Sequence, residues 1–400
     1  MSRNFRIGVI ATVYYPASHA DVIVSRWLEP RPSDSEWGWG VPQSRIASLY
    51  VEQFPPHDMR DFSLGEVKSN HSPNEIDMAR CMAERHELPL CDSVRDALTL
   101  GGDTLAVDAV LLIGEHGEYP FNSLYQKLYP RKELFDAIVS VFRETGQVVP
   151  LFCDKHLSWN SDWAREMVAT AQTMGIPFRA GSSLPLVGLN PPVPNLAGTA
   201  LAEFVGLCYV GPEVYGFHSL ELMQSLIEKR SGGEAGIRRI TAYVGDGVER
   251  AMAQGVWSQD LFEMALNATE SKRQGDWQSN CRGVATYEGA TSPIAFALEH
   301  NDGFRSAHIM LEGHLQDFTA ALRLQDGTVF AGRCASGGES SFYDHFATLN
   351  AHIEQLFLTG QSPTPQERTL LTTLTTAACM KALQTPGQPL DIAGDETCTY

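Results

Sequence analysis

No glycine stands in the turn after the first apolar run of this 400-residue chain, where residues 6–21 read RIGVIATVYYPASHAD. Basic residues are also scarce: 30 Lys and Arg against 48 Asp and Glu leave a formal net charge of -18 at pH 7. That balance excludes a nucleic-acid or anionic-membrane partner, because neutralising phosphate needs clustered cations. No apolar stretch approaches the roughly 20 residues that span a bilayer, and the N terminus passes into a strand pattern without a cleavage-site signature. The eight cysteines show no C-x-x-C pair or repeated spacing and read as reduced thiols of a cytoplasmic protein.

What is present is a large apolar content, 43%, enough for more than one core. Residues 1–181 alternate short apolar runs with helical patterns, the signature of an α/β Rossmann-like parallel sheet with helices on both faces. Strands are expected at 7–11, 44–51, 88–91, 106–114, 148–154 and 176–181, with helices at 74–86, 93–100, 130–146 and 163–175 between them. The Pro-rich stretch SSLPLVGLNPPVPNL marks the crossing into a second unit, residues 182–345, read as α+β on a mostly antiparallel open sheet. There MAQGVWSQDLFEMALNAT reads as one helix and CRGVATYEG as the first of several strands. Residues 346–400 read as a C-terminal helical segment packing back on the rest, with Arg368 in an ion pair. An uncovered face of the open sheet makes a homo-oligomer the expectation.

The order of these segments resembles the Gfo/Idh/MocA oxidoreductases over nearly the whole chain. RIGVIATVYYPASHADVI is similar to that family's first strand and turn, VDAVLLIG to its fourth strand, VVPLFCDKHLSWN to the stretch carrying its E-K-P motif, and YGFHSLELMQSL to the helix carrying D-x-G-x-H. The resemblance implies an NAD or NADP cofactor and a small sugar-like, cyclitol or related substrate. Lys155 falls on the motif lysine, which contacts substrate and nicotinamide, with Asp154 in place of Glu and His156 in place of Pro. His218 falls on the catalytic histidine and Gly216 on the motif glycine, while Val214 takes the aspartate position beside Glu213. Glu52 is the residue that could take the ribose hydroxyls.

Alcohol oxidation needs a base for the hydroxyl proton and a cation beside the developing alkoxide, and His218 and Lys155 supply both. The cofactor turn is altered, since the three glycine positions read Ala11, Val13 and Pro16. Thr12, Tyr14, Tyr15, Ser18 and His19 there could instead offer side chains to phosphate or substrate. A second constellation gathers at the carboxyl edge: Glu115 and His116 after one strand, and Asp154, Lys155 and His156 after the next. With His218 these suit a non-redox lyase, hydrolase or epimerase, with Glu115, His116 and His156 as candidate ligands of a divalent metal. A non-catalytic sugar-binding protein is the third reading. Tyr129, Arg131 and Trp159 are candidate substrate contacts, Arg131 as a carboxylate or phosphate clamp or as half of a surface ion pair.

Overall fold

A computed structural model describes residues 5–61, 71–337 and 343–400. The approach to the first strand (1–4) and Phe342, at the head of the expected C-terminal helices, lie outside the described residues. The first half runs β1 (Phe5–Val13), α1 (His19–Leu28), β2 (Ser44–Gln53), β3 (His57–Asp58), β4 (Ile76–Asp77), α2 (Ala79–Arg85), β5 (Leu90–Cys91), α3 (Val94–Thr99), β6 (Ala109–Ile113), α4 (Arg131–Thr145), β7 (Leu151–Asp154), α5 (Ser161–Met174) and β8 (Phe178–Gly181). Among the described residues six of these strands form one sheet in the order β5-β2-β1-β6-β7-β8. All its pairings are parallel, and β3 pairs only with β4. The order reverses between β1 and β6, and that crevice is where ligands bind in doubly wound folds.

Local sequence explains these elements. All five residues of β6 are buried, as a central parallel strand covered on both faces requires. α5 starts where Asn160 accepts from the N–H groups of Asp162 (2.9 Å) and Trp163 (3.2 Å), and it stops at Gly175 with φ 66°. One face of the sheet packs against α1 and against α10 (His345–Thr359), through Val24, Trp27, Leu349 and Ile353. The other packs against α3, α4 and α5.

The second half continues with β9 (Leu189–Asn190), β10 (Leu201–Cys208), α6 (Val214–Ile227), β11 (Ile237–Val244), α7 (Asp246–Ala253), α8 (Gln259–Leu266), α9 (Trp277–Cys281), β12 (Ile294–His300), β13 (Arg305–Met310), β14 (Thr319–Leu324) and β15 (Val329–Cys334). After α10 come α11 (Gln366–Ala382) and β16 (Pro389–Asp391). Among the described residues eight strands form a sheet in the order β16-β11-β12-β13-β10-β14-β15-β9, antiparallel except between β10 and β13. The fold is therefore a parallel Rossmann-like sheet joined to a mostly antiparallel one, as the sequence predicts. α11 lies between them, packed on α5, α6 and β8, and Arg368 is ion-paired with Glu228.

Several expectations change. MAQGVWSQDLFEMALNAT is split, because the chain turns at Gly255 with φ 74° before Ser258 opens α8. CRGVATYEG is not a strand: Gly283 and Gly289 take φ 73° and 87°, and Glu288 turns in to accept from Val214 N–H at 3.0 Å. The C-terminal segment is not wholly helical, since β16 extends the antiparallel sheet beside β11. The sheet face expected to be bare, which motivated a homo-oligomer, is covered over its central strands among the described residues. β10 alternates, sending Phe204 and Cys208 to one core and Val205 and Leu207 to another, where α7–α9 cover them with Val248, Trp257, Leu261 and Phe262. No helix among the described residues is long and apolar enough to cross a membrane, and all eight cysteines are unpaired thiols.

Trp257 is 2% exposed in that second core. Trp257→Ala is expected to lower unfolding free energy by about 3–5 kcal/mol, read as a lower denaturant midpoint; a loss under about 1 kcal/mol would mean the helices do not depend on it.

Candidate functional site

The carboxyl ends of β6 and β7 and the starts of α1, α4 and α6 converge on a chamber of about 100 Å3 lined by His19, Glu115, His116, Lys155 and His218, with Tyr215 and Phe346 among its apolar walls. The chain reaches it through strained backbone. His116 has φ 70° and Lys155 φ 69°, left-handed values that β-strand ends adopt only when their surroundings fix them. Lys155 is 2% exposed. Its N–H donates to Gly181 O at 3.2 Å and its ammonium stands 3.4 Å from Glu115 Oε1.

Glu115 is the electrostatic centre. Burial alone would raise its carboxyl, but the Lys155 ammonium and the Arg131 guanidinium hold it well below the usual carboxylate range. Arg131, fully buried at the first residue of α4, bonds Glu115 Oε2 with Nη2 and meets His156 Nε2 with Nη1 at 3.1 Å. Its guanidinium lies 5.0 Å over the Tyr129 ring. Behind this row sits Glu213, accepting from Lys127 N–H at 2.7 Å and 3.8 Å from His156 Nε2.

The histidines are held individually. His19 Nδ1 meets Asp154 Oδ2 at 2.6 Å, so the carboxylate fixes that ring and leaves Nε2 for the chamber. His218 Nδ1 meets Ser182 Oγ, also at 2.6 Å, and Ser182 Oγ accepts from Leu184 N–H at 3.1 Å. The rings of His19 and His218 face each other, nearly parallel at 26°, with centroids 6.5 Å apart. Burial, then the Lys155 and His19 charges, pushes His218 well below the ordinary imidazole value. Burial and then His19 push His116 down to about 3. The set can therefore move a proton between imidazoles beside a fixed ammonium.

His116 also lines a larger outer cleft of about 860 Å3 between the ends of β1, β2 and the loop after β6, walled by Val13, Tyr15, Phe54, Tyr119, Lys127 and Tyr287. In this fold a dinucleotide sets its pyrophosphate on the backbone N–H groups that open the first helix. Here the chain engages three donors of that turn itself, the N–H groups of Tyr15, Ala17 and Asp21. Asp21 Oδ2 accepts from Ala17 N–H at 2.8 Å, and Ser18 Oγ accepts from the N–H groups of Tyr15 and Asp21 at 3.2 Å each. Ser18 N–H closes the turn onto Tyr15 O at 3.0 Å. A carboxylate thus stands where the anion would sit, and the α1 turn does not fit a pyrophosphate.

Lys155, His218, Glu115 and His116 are thus brought together, with Asp154, His156, Arg131, Tyr129 and Glu213 in a buried layer behind them. Arg131 is neither a surface ion pair nor a ligand clamp, being spent on Glu115. Ala11 is core, Thr12 donates to Glu115 O at 2.7 Å, and Tyr14 Oη meets Ser25 Oγ at 2.6 Å inside the α1 packing. Of the turn residues singled out, Val13, Tyr15 and His19 reach a cavity. Glu52 is bonded by Tyr119 Oη, and Gln53 rather than Glu52 lines the cleft. Trp159 meets Trp163 edge to face with centroids 5.0 Å apart, away from both cavities. Glu115 and His156 are both engaged by Arg131, and among the described residues no three His, Cys, Asp or Glu side chains converge as a metal site. Sequence reasoning missed Lys127, Ser182 and the α10 contributors His345 and Phe346; the last two carry no local signal, because only tertiary packing brings α10 to the chamber.

No protein-family profile and no curated protein sequence matches the chain. Solved structures do. GenD2 from gentamicin A biosynthesis, in complex with NAD, is similar over 98% of this chain and 97% of its own, with a TM-score of 0.61 at 10% identity. A myo-inositol dehydrogenase from Corynebacterium glutamicum is similar over 98% and 99%, with a TM-score of 0.56 at 13% identity. The myo-inositol 2-dehydrogenase from Lactobacillus plantarum is similar over 98% and 100%, with a TM-score of 0.57 at 10% identity. The chain has the Gfo/Idh/MocA two-domain fold.

Burial pushes the Glu213 carboxyl up to about 8, with Glu288 adding to the rise against the Lys127 N–H bond. Between its ordinary value of 4.5 and about 8 the folded chain keeps a proton that the unfolded chain has lost. Stability attributable to this group therefore falls as pH rises through that window. Glu213→Gln is expected to flatten that part of the stability profile, measured by denaturant unfolding at about pH 5 and pH 8.5; an unchanged slope would place the proton elsewhere.

Proposed function

We propose that this chain is an enzyme on a dehydrogenase scaffold that moves a proton at carbon beside a carbonyl group of a small sugar-like molecule, without net oxidation. The observation that carries the reading is the pair of imidazoles, His19 on Asp154 and His218 on Ser182, facing each other with Lys155 at the side. In one direction His218 Nε2 takes the proton, the Lys155 ammonium stabilises the oxyanion that forms, and His19, entering that turnover with a proton on Nε2 as well as on the Nδ1 that faces Asp154, gives the Nε2 proton from the other side; the reverse direction exchanges the two roles. Glu115 holds the Lys155 ammonium in place and Asp154 holds the His19 ring. Epimerisation follows from this layout, in which a base and an acid address opposite faces of one carbon.

A second reading, an NAD(P)-dependent oxidoreductase of sugars or cyclitols with Lys155 orienting the hydroxyl and His218 as base, is favoured by the likeness to NAD-bound GenD2 along the whole chain. It requires the dinucleotide's phosphates to lie off the α1 turn, where Asp21 and Ser18 have taken the donors.

Incubating the enzyme in deuterated water with a panel of ketoses, aldoses and sugar acids, with no dinucleotide added, is expected to wash deuterium into one carbon. Lys155→Met is expected to slow this by about 10²–10⁴-fold. His19→Asn and His218→Asn are expected to lose exchange of opposite epimers. The acid limb of the rate profile should fall below the ordinary imidazole value of 6.5, because His218 is pushed down. Exchange seen only with added NAD or NADP would move the assignment to the second reading.

A further inference from the structure

Lys127 is the one lysine or arginine among the described residues that line the outer cleft, and no carboxylate there answers its charge. It is 9% exposed, and its ammonium makes a single hydrogen bond, to Tyr287 Oη at 2.8 Å. Three rings surround it, Phe121 at 5.5 Å, Tyr129 at 5.4 Å and Tyr287 at 5.3 Å from the ring centroids. Among the described residues no carboxylate stands within ion-pair distance of Nζ. Glu213 takes the backbone N–H of Lys127 instead, and Glu118 lines the same cleft from an exposed position. The neighbouring buried cations, Lys155 and Arg131, both have Glu115. In a chain with 48 acidic residues against 30 basic ones, a near-buried cation without a counter-charge is a departure from the pattern. Aromatic faces offset part of the desolvation of an ammonium, but an anion in contact offsets far more.

We propose that Lys127 anchors an anionic group, a carboxylate or a phosphate ester, of the ligand that fills the outer cleft. The cleft of about 860 Å3 has room for that ligand. His116 lines both cavities, so a molecule anchored at Lys127 extends past His116 to the carbon presented to Lys155 and His218. The Tyr15, Phe54 and Tyr119 rings in the cleft wall suit the faces of a sugar or a base. This deepens the proposed function, on which it rests for the placement of the reacting carbon: the substrate is an acidic sugar derivative or carries a nucleotide. It also supplies the anion contact that the α1 turn cannot.

The test is calorimetric titration of the intact protein with four probes: D-gluconate, glucose 6-phosphate, AMP and, as the neutral control, glucose. At least one anionic probe is expected to bind more tightly than glucose, and to do so less tightly as salt is raised. Which probe wins distinguishes a sugar-acid carboxylate, a sugar phosphate and a nucleotide phosphate. Lys127→Met is expected to weaken that probe by about 30-fold or more while leaving glucose unchanged, and Lys127→Arg to restore part of the difference. Because the methionine variant could fail to fold, the wild-type protein is also treated with an amine-acylating reagent. The winning anion, and not glucose, should protect the Lys127 peptide in mass spectrometry. No preference for any anion, or a preference that survives Lys127→Met, or no protection of Lys127, overturns the proposal. Binding is read without turnover, so failure of the proton-transfer reading would leave this result standing.

Discussion

The buried carboxylate of Glu115 is the contact on which the site depends. It ties the end of β6 to the first residue of α4 through Arg131 and to the end of β7 through Lys155. Removing one member of such a cluster leaves an uncompensated charge and costs about 3–5 kcal/mol. The backbone is shaped around it. A Cβ at Gly114 would meet Arg131 Cγ at 2.5 Å, so a glycine is what lets the arginine cross the strand end. Lys155 holds a left-handed φ because both its N–H and its ammonium are anchored, the first on Gly181 O and the second on Glu115.

Around this cluster the fold keeps the crevice of a dinucleotide enzyme and changes its first turn. Ser18 and Asp21 engage the N–H groups of Tyr15, Ala17 and Asp21 in the turn into α1, and α1 presents His19 to the chamber. The same helix is welded into the core by Tyr14 on Ser25 and by Asn350 of α10, which donates to Ile23 O at 2.9 Å. Closure of the turn and delivery of His19 are thus two consequences of one local sequence, YYPASHAD.

Much of the architecture was legible because parallel strands and amphipathic helices write their periods directly. The all-buried run of β6 and the glycine stops of α4 and α5 are local features, and each stood where the pattern placed it. Errors fell where tertiary contact outweighs local preference. CRGVATYEG alternates like a strand, yet Glu288 is drawn inward by the N terminus of α6. The outer face of the antiparallel sheet was expected bare because the short helices α7–α9 show no sequence sign of which sheet they cover. At the site, Lys155, His218 and Glu115 were visible from segment order. The His19–Asp154 pair, separated by 135 positions, was not, because only strand order brings α1 beside β7.

The central claim is that the α1 turn is closed to a pyrophosphate by the chain's own side chains. The most direct test is to denature purified protein, assay the released small molecules for NAD and NADP by mass and absorbance, and titrate the ligand-free protein with both. Closure of the turn predicts no released dinucleotide, and weak or no binding in wild type that Asp21→Ala strengthens by about tenfold or more. A stoichiometric dinucleotide in the wild-type protein, insensitive to Asp21→Ala, would contradict it.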